Sequence, residues 1–293
     1  MESSRLGRSR LAVSRVGLGC NNFGRRLDRE RTRQVVEAAL DAGITFFDTA
    51  ESYGEGDSER FLGAALGARR SDVVVATKFG WAPDDLPGGA PARVRRALEG
   101  SLGRLGTDVV DLLYYHRPDG VTPLADTLGA MQELVDEGKV RALGLSNVDV
   151  ALLREAEATG VEVAAVQNRY SLVRREDDDA VLPYCREHGI GYVPYFPLAS
   201  GLLTGKYRRG EAPPAGTRLT GGIPDEDFDD VERLEGVADD LGRSLLELAV
   251  GGLAAIDGIA SVIAGATTPE QVRANVAAGA WMPSPTELDA VLA

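Results

Sequence analysis

Four side chains in the first half of the chain could together move a proton: Asp48, Tyr53, Lys78 and His116. A tyrosine phenol has an ordinary pKa of about 10, and an ammonium within about 4–6 Å lowers that pKa by favouring the phenolate. Lys78 can supply this charge, and a carboxylate such as Asp48 keeps a buried lysine protonated. His116 adds a donor that can orient and polarise a carbonyl oxygen. These residue types predict a site that donates a proton to a substrate carbonyl.

This set of side chains lacks a hydride donor, so a carbonyl reductase built on it needs a nicotinamide cofactor. Taken alone, Asp48 is also typical of a cap at a strand–helix turn. Lys78 alone is also typical of a solvated strand end or of a lysine that forms a Schiff base with a substrate. A Schiff-base lyase therefore stays open beside the reductase, and cofactor binding would argue against it.

The elements that position these residues are short apolar runs, each followed by a segment with helical periodicity. The runs and the residues they reach are ITFF before Asp48, VVVAT before Lys78, VVDLLYY before His116, VRALGL before Ser146 and Asn147, VAAV before Gln167 and Asn168, and GYVP before Tyr195. In a barrel of eight parallel strands, all the carboxyl ends open on one face, where active sites are built. The alternation therefore predicts a (β/α)8 TIM barrel with these residues in one pocket.

We expect one domain over residues 1–293, because no linker separates two apolar cores. The opening RLGRSRLAVSRVGLG, centred on Gly7, predicts a short hairpin that leads into a first strand near Val16. The regular alternation stops after the seventh strand, where residues 201–227 are rich in glycine, proline and charge. A loop of this length inside a compact domain is typical of a functional lid or of a disordered segment, and we favour a lid that closes over a ligand.

The composition excludes several classes of protein. A net charge of -13 argues against a nucleic-acid or anionic-membrane surface, while leaving room for an anionic cofactor in a local pocket. Two cysteines, Cys20 and Cys185, without metal-type spacing predict neither a disulfide nor a metal site. We find no apolar run typical of a secretory leader or a membrane span, so we expect a cytoplasmic protein. The composition gives no indication of oligomeric state.

Over nearly its whole length the chain resembles the aldo-keto reductase family. The resemblance is carried by GITFFDTAESYGEGDSERFLG, VVATKFG, LLYYHRPD, GKVRALGLSN, VQNRYSL, PYFPLASGLLTGKY and VIAGATTPEQVRANV. The long segment with GLLTGKY resembles the bacterial branch related to potassium-channel β subunits. The positions Asp48, Tyr53, Lys78 and His116 match the family's catalytic tetrad, with Tyr53 as general acid/base. The resemblance therefore implies NAD(P)-dependent reduction of aldehydes or ketones to alcohols, or the reverse.

The resemblance also implies where a cofactor and a small carbonyl substrate bind. Ser146, Asn147 and Gln167 match residues that bond the nicotinamide carboxamide, and Tyr195 matches an aromatic that stacks on its ring, with Asp48 beside it. The stretch around the pyrophosphate and ribose is matched by Pro197, Leu198, Ser200, Gly201 and Lys206. The loop after strand one is matched by Gly19, Cys20 and Asn21. The N-terminus of the last helix, a position that suits phosphate, is matched by Gly265, Thr267, Gln271 and Asn275. Trp81, with Tyr53 and His116, is expected to line the substrate pocket.

Two departures from the family pattern bear on the cofactor. Phe196 stands where many members have serine, which removes a hydroxyl donor. The segment GATTPEQ lacks the basic residue that many members use for the 2′-phosphate of NADPH, and the nearest one is Arg273. The resemblance favours NADP(H), while NAD(H) or dual use stays open. The channel-subunit likeness also leaves open a nicotinamide-binding, redox-sensing regulatory subunit with slow turnover.

Overall fold

A computed structural model describes residues 2–81, 84–214, 217–219 and 223–293, with only the backbone of residues 226 and 227. Two short strands, β1 (Ser3–Arg5) and β2 (Ala12–Ser14), pair antiparallel as a hairpin. The strands of the second sheet are β3 (Val16–Gly19), β4 (Phe46–Asp48), β5 (Val74–Phe79), β6 (Val110–Tyr115), β7 (Val140–Ser146), β8 (Ala165–Gln167), β9 (Gly191–Tyr192) and β10 (Val262–Gly265). The predicted hairpin is present in the structure.

The eight strands of the second sheet are all parallel and lie in the order β10-β3-β4-β5-β6-β7-β8-β9. Parallel bridges join Tyr192 to Ile259 and Tyr195 to Ile263, so hydrogen bonding continues from the last strand in this order to the first. The Ala260 amide, for example, donates to the Tyr192 carbonyl over 2.8 Å. The α/β architecture with eight parallel strands, predicted from the apolar runs, is confirmed.

Helices follow the strands along the chain. They are α1 (Arg29–Asp41), α2 (Asp57–Leu66), α3 (Pro91–Leu105), α4 (Leu124–Asp136), α5 (Val150–Ala158), α6 (Val181–His188), α7 (Asp225–Leu241), α8 (Leu245–Glu247), α9 (Pro269–Gly279) and α10 (Pro285–Leu292). Several begin at side chains that accept a backbone N–H: Asp28 caps α1, and Asp149 caps α5. Helix α10 was not predicted, although Ser284 and Glu287 form a capping box at its start.

A π-helical turn, Leu248–Gly252, continues α8. Its Gly251 faces α9, and a Cβ atom there would lie 2.6 Å from the Ala278 carbonyl oxygen. Glycine therefore allows the two backbones to approach closely, which offsets the roughly 1 kcal/mol by which glycine disfavours a helix.

The core has two parts because each strand of a barrel buries both faces. One part fills the space between the sheet and the surrounding helices. The other fills the inside of the barrel, where Phe46, Leu112 and Tyr114 pack together with Leu6 and Val13 of the hairpin. The hairpin lies at the amino ends of the strands, since Gly7 packs against the backbone just before β8 and at the start of β9. The carboxyl ends of the strands, at the opposite end of the barrel from the hairpin, form the face that carries the polar groups.

The segment after β9, the seventh strand of the barrel, contains the 3-10 helix Ala199–Thr204 and then runs irregularly to α7. The centre of the expected lid, at residues 215–216 and 220–222, lies outside the described residues. Helix α7 begins at Asp225, inside the stretch expected to be loop. Among the described residues, no helix combines the length and the apolar composition needed to cross a membrane.

Candidate active site

Asp48 and Lys78 form a buried ion pair at the carboxyl ends of the neighbouring strands β4 and β5. Lys78 Nζ donates to Asp48 Oδ1 over 2.5 Å and to the Thr49 carbonyl over 2.9 Å, and the two side chains are 0% and 4% exposed. Burial acts to lower the pKa of Lys78, but the Asp48 carboxylate and Tyr53 outweigh it, so this pKa lies above its ordinary value. Lys78 therefore stays an ammonium, which does not suit the neutral amine required of a Schiff-base nucleophile.

Tyr53 stands at the first position of the 3-10 helix Tyr53–Gly56, which follows β4. Its hydroxyl lies 3.5 Å from Lys78 Nζ, inside the distance at which an ammonium acts on a phenol. Burial nevertheless raises the pKa of Tyr53 above its ordinary value, with Lys78 opposing that effect and Asp48 adding to it. The expected lowering by Lys78 is present, but the net lowering that the sequence suggested is wrong, because desolvation is the larger effect.

His116 follows β6 directly and completes the predicted set of four. Its ring lies edge-on to Tyr53, with 5.9 Å between ring centroids, and edge-on to Trp81 at 4.6 Å. Burial and the charge of Lys78 lower the pKa of His116 to about 2, so its imidazole is neutral at any working pH. Its Nδ1 is buried without a hydrogen-bond partner among the described residues. A ring in this state can hold a ligand oxygen and carries no charge of its own.

The predicted carboxamide contacts surround this group. Tyr195 donates from its hydroxyl to Asn147 Oδ1 over 2.7 Å, and Asn147 Nδ2 donates to the His116 carbonyl over 2.8 Å. Gln167 Nε2 donates to Asp48 Oδ2 over 2.8 Å, so the amide points at the buried ion pair. Asn147 has a positive φ of 59°, a conformation that is rare outside glycine and clusters at functional sites.

The segment matched to the pyrophosphate site is the most strained part of the described backbone. Phe196, Ala199 and Ser200 all have positive φ, at 56°, 46° and 61°. Each such residue costs on the order of 1–3 kcal/mol and persists only where the surroundings hold it. The predicted residues here lie in or beside the 3-10 helix Ala199–Thr204: Pro197, Leu198, Ser200, Gly201 and Lys206. Strain concentrated at one predicted ligand site favours a functional role for the segment.

The third predicted group lies where β3 and β10 are adjacent, with Gly19 opposite Gly265 in the register. The Cys20 amide donates to the Asp48 carbonyl over 2.8 Å, and Asn21 lies next to it in the chain. At the start of α9, the Thr267 amide donates to Gln271 Oε1 over 2.7 Å. Asn275 is buried one turn further along the same helix. Burial raises the pKa of the Cys20 thiol well above its ordinary value, which disfavours the thiolate that a nucleophile needs.

Arg218 lies beside predicted cofactor-binding residues, and the sequence did not indicate it. It comes from the long segment after β9, and its Nη2 donates to Asn21 Oδ1 over 3.0 Å and to Asn22 Oδ1 over 2.7 Å. Asn22 Nδ2 in turn donates to the Ala266 carbonyl over 3.1 Å. A guanidinium without a carboxylate partner in the described part of the chain therefore stands beside the GATTPEQ loop, where the sequence showed no basic residue. Its only sequence signal was one arginine within a charged loop.

Arg273, the basic residue nearest to that loop in the sequence, is paired with Glu270 at 2.9 Å on the surface of α9. In the described ranges, no three His, Cys, Asp or Glu side chains are grouped so that they could hold a metal ion.

The fold is a parallel α/β barrel, and a tyrosine, a lysine and an aspartate meet at the carboxyl ends of its strands. This fold and this placement of polar residues are those of an α/β-barrel enzyme. The sequence pattern of the Aldo/keto reductase family matches residues 15–291, and the chain belongs to this family. Membership in it supports an oxidoreductase enzyme.

Relatives and solved structures cover almost the whole chain. It is 37% identical over 300 residues to a probable voltage-gated potassium channel subunit beta of Oryza sativa subsp. japonica, covering 95% of this chain and 91% of the relative. Aldo-keto reductase AKR11C1 from Bacillus halodurans, in its holo form, superposes with a TM-score of 0.86 at 31% identity, over 99% of this chain and 95% of that one. The glycerol dehydrogenase AKR11B4 from Gluconobacter oxydans gives a TM-score of 0.86 at 29% identity, over 99% and 93% of the two chains.

Proposed function

We propose that this chain is an NAD(P)H-dependent oxidoreductase that reduces small aldehydes or ketones to alcohols and runs the reverse reaction. The observation that carries the proposal is the 3.5 Å between the Tyr53 hydroxyl and Lys78 Nζ, with that ammonium held on Asp48. This arrangement lets one phenol act as the acid in reduction and the base in oxidation.

The roles of the side chains follow from their positions. A bound nicotinamide supplies or accepts the hydride at the carbonyl carbon. Tyr53 gives its proton to the carbonyl oxygen, and Lys78 stabilises the phenolate that remains. Asp48 keeps Lys78 charged. The neutral imidazole of His116 orients the carbonyl by a hydrogen bond, and Trp81 forms one wall of the substrate pocket.

The residues around this site fit a dinucleotide. Asn147 and Gln167 carry amides that can pair with a carboxamide once they leave their present partners, and Tyr195 offers a ring for stacking. Lys206 and Arg218 are cations without a carboxylate partner among the described residues, on a chain whose net charge is -13. Such charges suit phosphate. Arg218 beside the GATTPEQ loop supports NADP(H) as the cofactor, although the loop itself is neutral or acidic.

A Tyr53→Phe variant tests the proposal. The phenol oxygen is lost while the ring stays, so we expect kcat for a generic aldehyde such as 4-nitrobenzaldehyde to fall by about 10²–10⁴-fold. Quenching of nicotinamide fluorescence on binding should be unchanged. Tyr184→Phe is the matched control, because Tyr184 bonds Glu157 on α5 far from the ion pair. Full turnover by Tyr53→Phe would overturn the assignment.

A second candidate is a regulatory subunit that binds nicotinamide and turns over slowly, and the name of the rice relative favours it. Such a protein would use the same site to report the redox state of the cofactor. Steady-state rates separate the two: tight nicotinamide binding with negligible reduction of a panel of aldehydes supports the regulatory subunit. A kcat in the range typical of enzymes, with any aldehyde of the panel, supports the reductase.

A further inference from the structure

Arg93, in the first turn of α3, is a buried cation that the reaction does not use. Its Nη2 lies 2.6 Å from Glu51 Oε1, and the two side chains are 4% and 6% exposed. A positive charge at a helix N-terminus is opposed by the helix dipole, and a buried charge also loses its hydration. The sequence places an arginine where both effects are unfavourable, so its partners must compensate for them.

Glu51 links this cation to the strand ends that carry the site. It lies two residues before Tyr53, and its amide donates to the Lys78 carbonyl over 3.1 Å. Its Oε1, the same atom that meets Arg93, also accepts from the Gly80 amide over 2.9 Å. Gly80 has a φ of 95°, and a Cβ there would lie 2.7 Å from the Tyr115 ring, so the backbone turns sharply at this point. Glu51 therefore fixes the exit of β5 just before Trp81.

Arg93 also reaches the other side of Trp81. Its Nε lies 2.8 Å from Asp84 Oδ2, an ion pair without the alignment of a hydrogen bond. Asp84 is held in addition by Arg96. The Arg93 guanidinium thus links Gly80, through Glu51, to Asp84. In the sequence, Trp81 lies between Gly80 and Asp84.

The ring of Trp81 is half-exposed, so its position depends strongly on the backbone that carries it. Trp81 is 53% exposed, its ring lies nearly perpendicular to that of His116, and the Arg117 guanidinium is 5.8 Å from its ring centroid. The described backbone that carries this ring leaves β5 at Gly80, where Glu51 holds it.

We propose that the bridge Glu51–Arg93–Asp84 positions Trp81 against His116 and so determines which carbonyl substrates fit the pocket. Arg93 is a positioning residue here and touches neither substrate nor cofactor. The inference rests on the proposed function for its kinetic part. Its structural part, the dependence of Trp81 on Arg93, stands without any turnover.

The test uses Arg93→Met in a Trp281→Phe background, where Trp81 is the remaining tryptophan. We expect KM for 4-nitrobenzaldehyde, which needs the aromatic wall, to rise about tenfold. kcat/KM for propanal and the Kd of the nicotinamide cofactor should stay within about twofold, since neither needs that wall. Emission of Trp81 and its quenching by acrylamide should both change. Glu51→Gln, which keeps an acceptor for Gly80, should give a smaller change of the same kind.

Arg104→Met is the matched control, because Arg104 lies on α3 like Arg93 and also pairs with a buried carboxylate, Glu59 of α2, at 2.6 Å. Arg104 does not contact the Trp81 segment in the described part of the chain. Its variant should leave the substrate ratio and the Trp81 emission unchanged. A folded Arg93→Met protein with unchanged emission and an unchanged ratio overturns the inference, as does an equal change in Arg104→Met. If the parent protein turns over no aldehyde, the proposed function fails, while the emission measurements still decide the role of Arg93.

Discussion

Gln167 donates a hydrogen bond of 2.8 Å to Asp48 Oδ2, across the mouth of the barrel from β8 to β4. The other carboxylate oxygen of Asp48 accepts a hydrogen bond from Lys78, so both oxygens are occupied, and Asp48 is the one anionic partner of this ammonium among the described residues. The charge state of Lys78 therefore depends on Asp48.

Asp48→Asn removes that carboxylate and keeps the shape of the side chain. Breaking one side of a buried pair costs about 3 kcal/mol or more in unfolding free energy, since the remaining charge is unpaired. The pKa of Lys78 should fall, because Asp48 raises it more than Tyr53 does, and kcat should fall with it. Chemical denaturation and aldehyde turnover measure the two effects. Asp48→Asn/Lys78→Met, which leaves no unpaired charge, should recover part of the stability but not the activity; an equally unstable double variant would contradict this account.

Lys78→Met should change the pH dependence of alcohol oxidation, which requires the phenolate of Tyr53. Lys78 acts to lower the pKa of Tyr53 against burial, so its loss raises that pKa further. The rising limb of kcat against pH should therefore move to higher pH, and reduction should stay insensitive to pH over a wider alkaline range. Profiles in both directions measure the shift. A limb that moves to lower pH, or not at all, argues against Tyr53 as the group that titrates.

His116 should make the fold sensitive to mild acid. Its pKa is about 2 when folded and near 6.5 when unfolded, so below pH 6.5 the unfolded chain binds a proton that the folded chain does not. The contribution of neutral His116 to the free energy of unfolding is complete above pH 6.5. It declines by roughly 1 kcal/mol per pH unit as the pH falls below that value. Denaturation midpoints between pH 7 and pH 5 should decline less steeply in His116→Asn, with His188→Asn as the control. Parallel slopes in parent and His116→Asn would show that His116 does not contribute.

Arg218→Met should weaken cofactor binding, and NADPH more than NADH. A charge-assisted contact is worth about 1.5–3 kcal/mol, so loss of the guanidinium beside Ala266 should raise Kd for NADPH about tenfold or more. Fluorescence titrations with both cofactors provide the comparison. Arg273→Met is the control, since Arg273 is already paired with Glu270 and should change neither Kd. An equal loss for both cofactors would assign Arg218 to the pyrophosphate and not to the 2′-phosphate.

Two helical glycines should respond in opposite ways to alanine. At Gly63 in α2, a Cβ would lie 2.2 Å from the Leu105 carbonyl oxygen, so the helix must move away from the end of α3. Gly63→Ala should destabilise the protein by about 1–3 kcal/mol. At Gly129 in α4 nothing lies within 4 Å of a Cβ, and Gly129→Ala should stabilise it by up to about 1 kcal/mol. Thermal melts of the pair test the packing of α2 on α3, and destabilisation of equal size in both would argue against it.

Much of the barrel could be predicted because its strands are buried on both faces and read as short apolar runs. The four residues at strand ends could be brought together for the same reason, since a parallel barrel has only one carboxyl face. The roles of these residues and of the cofactor contacts stay predictions.

Other features depend on contacts between remote segments and could not be read from the sequence. Burial of Tyr53, which reverses the expected sign of its pKa shift, depends on how β4, β5 and β6 meet. Arg218 arrives at the GATTPEQ loop from about fifty residues earlier in the chain, without a spacing pattern. Helix α10 is a different case: it lies beyond the alternation of strands and helices, and its signal in the sequence is the capping box of Ser284 and Glu287.

The hairpin of β1 and β2 closes the barrel at the amino ends of its strands. Leu6 and Val13 are fully buried there, continuous with the apolar filling around Phe46 and Tyr114. Because these side chains are packed, under the proposed function the phenol of Tyr53 would exchange its proton with solvent at the carboxyl ends of the strands. A bound dinucleotide and carbonyl would cover those ends, so the phenol would hold a single proton for each substrate molecule until the product leaves.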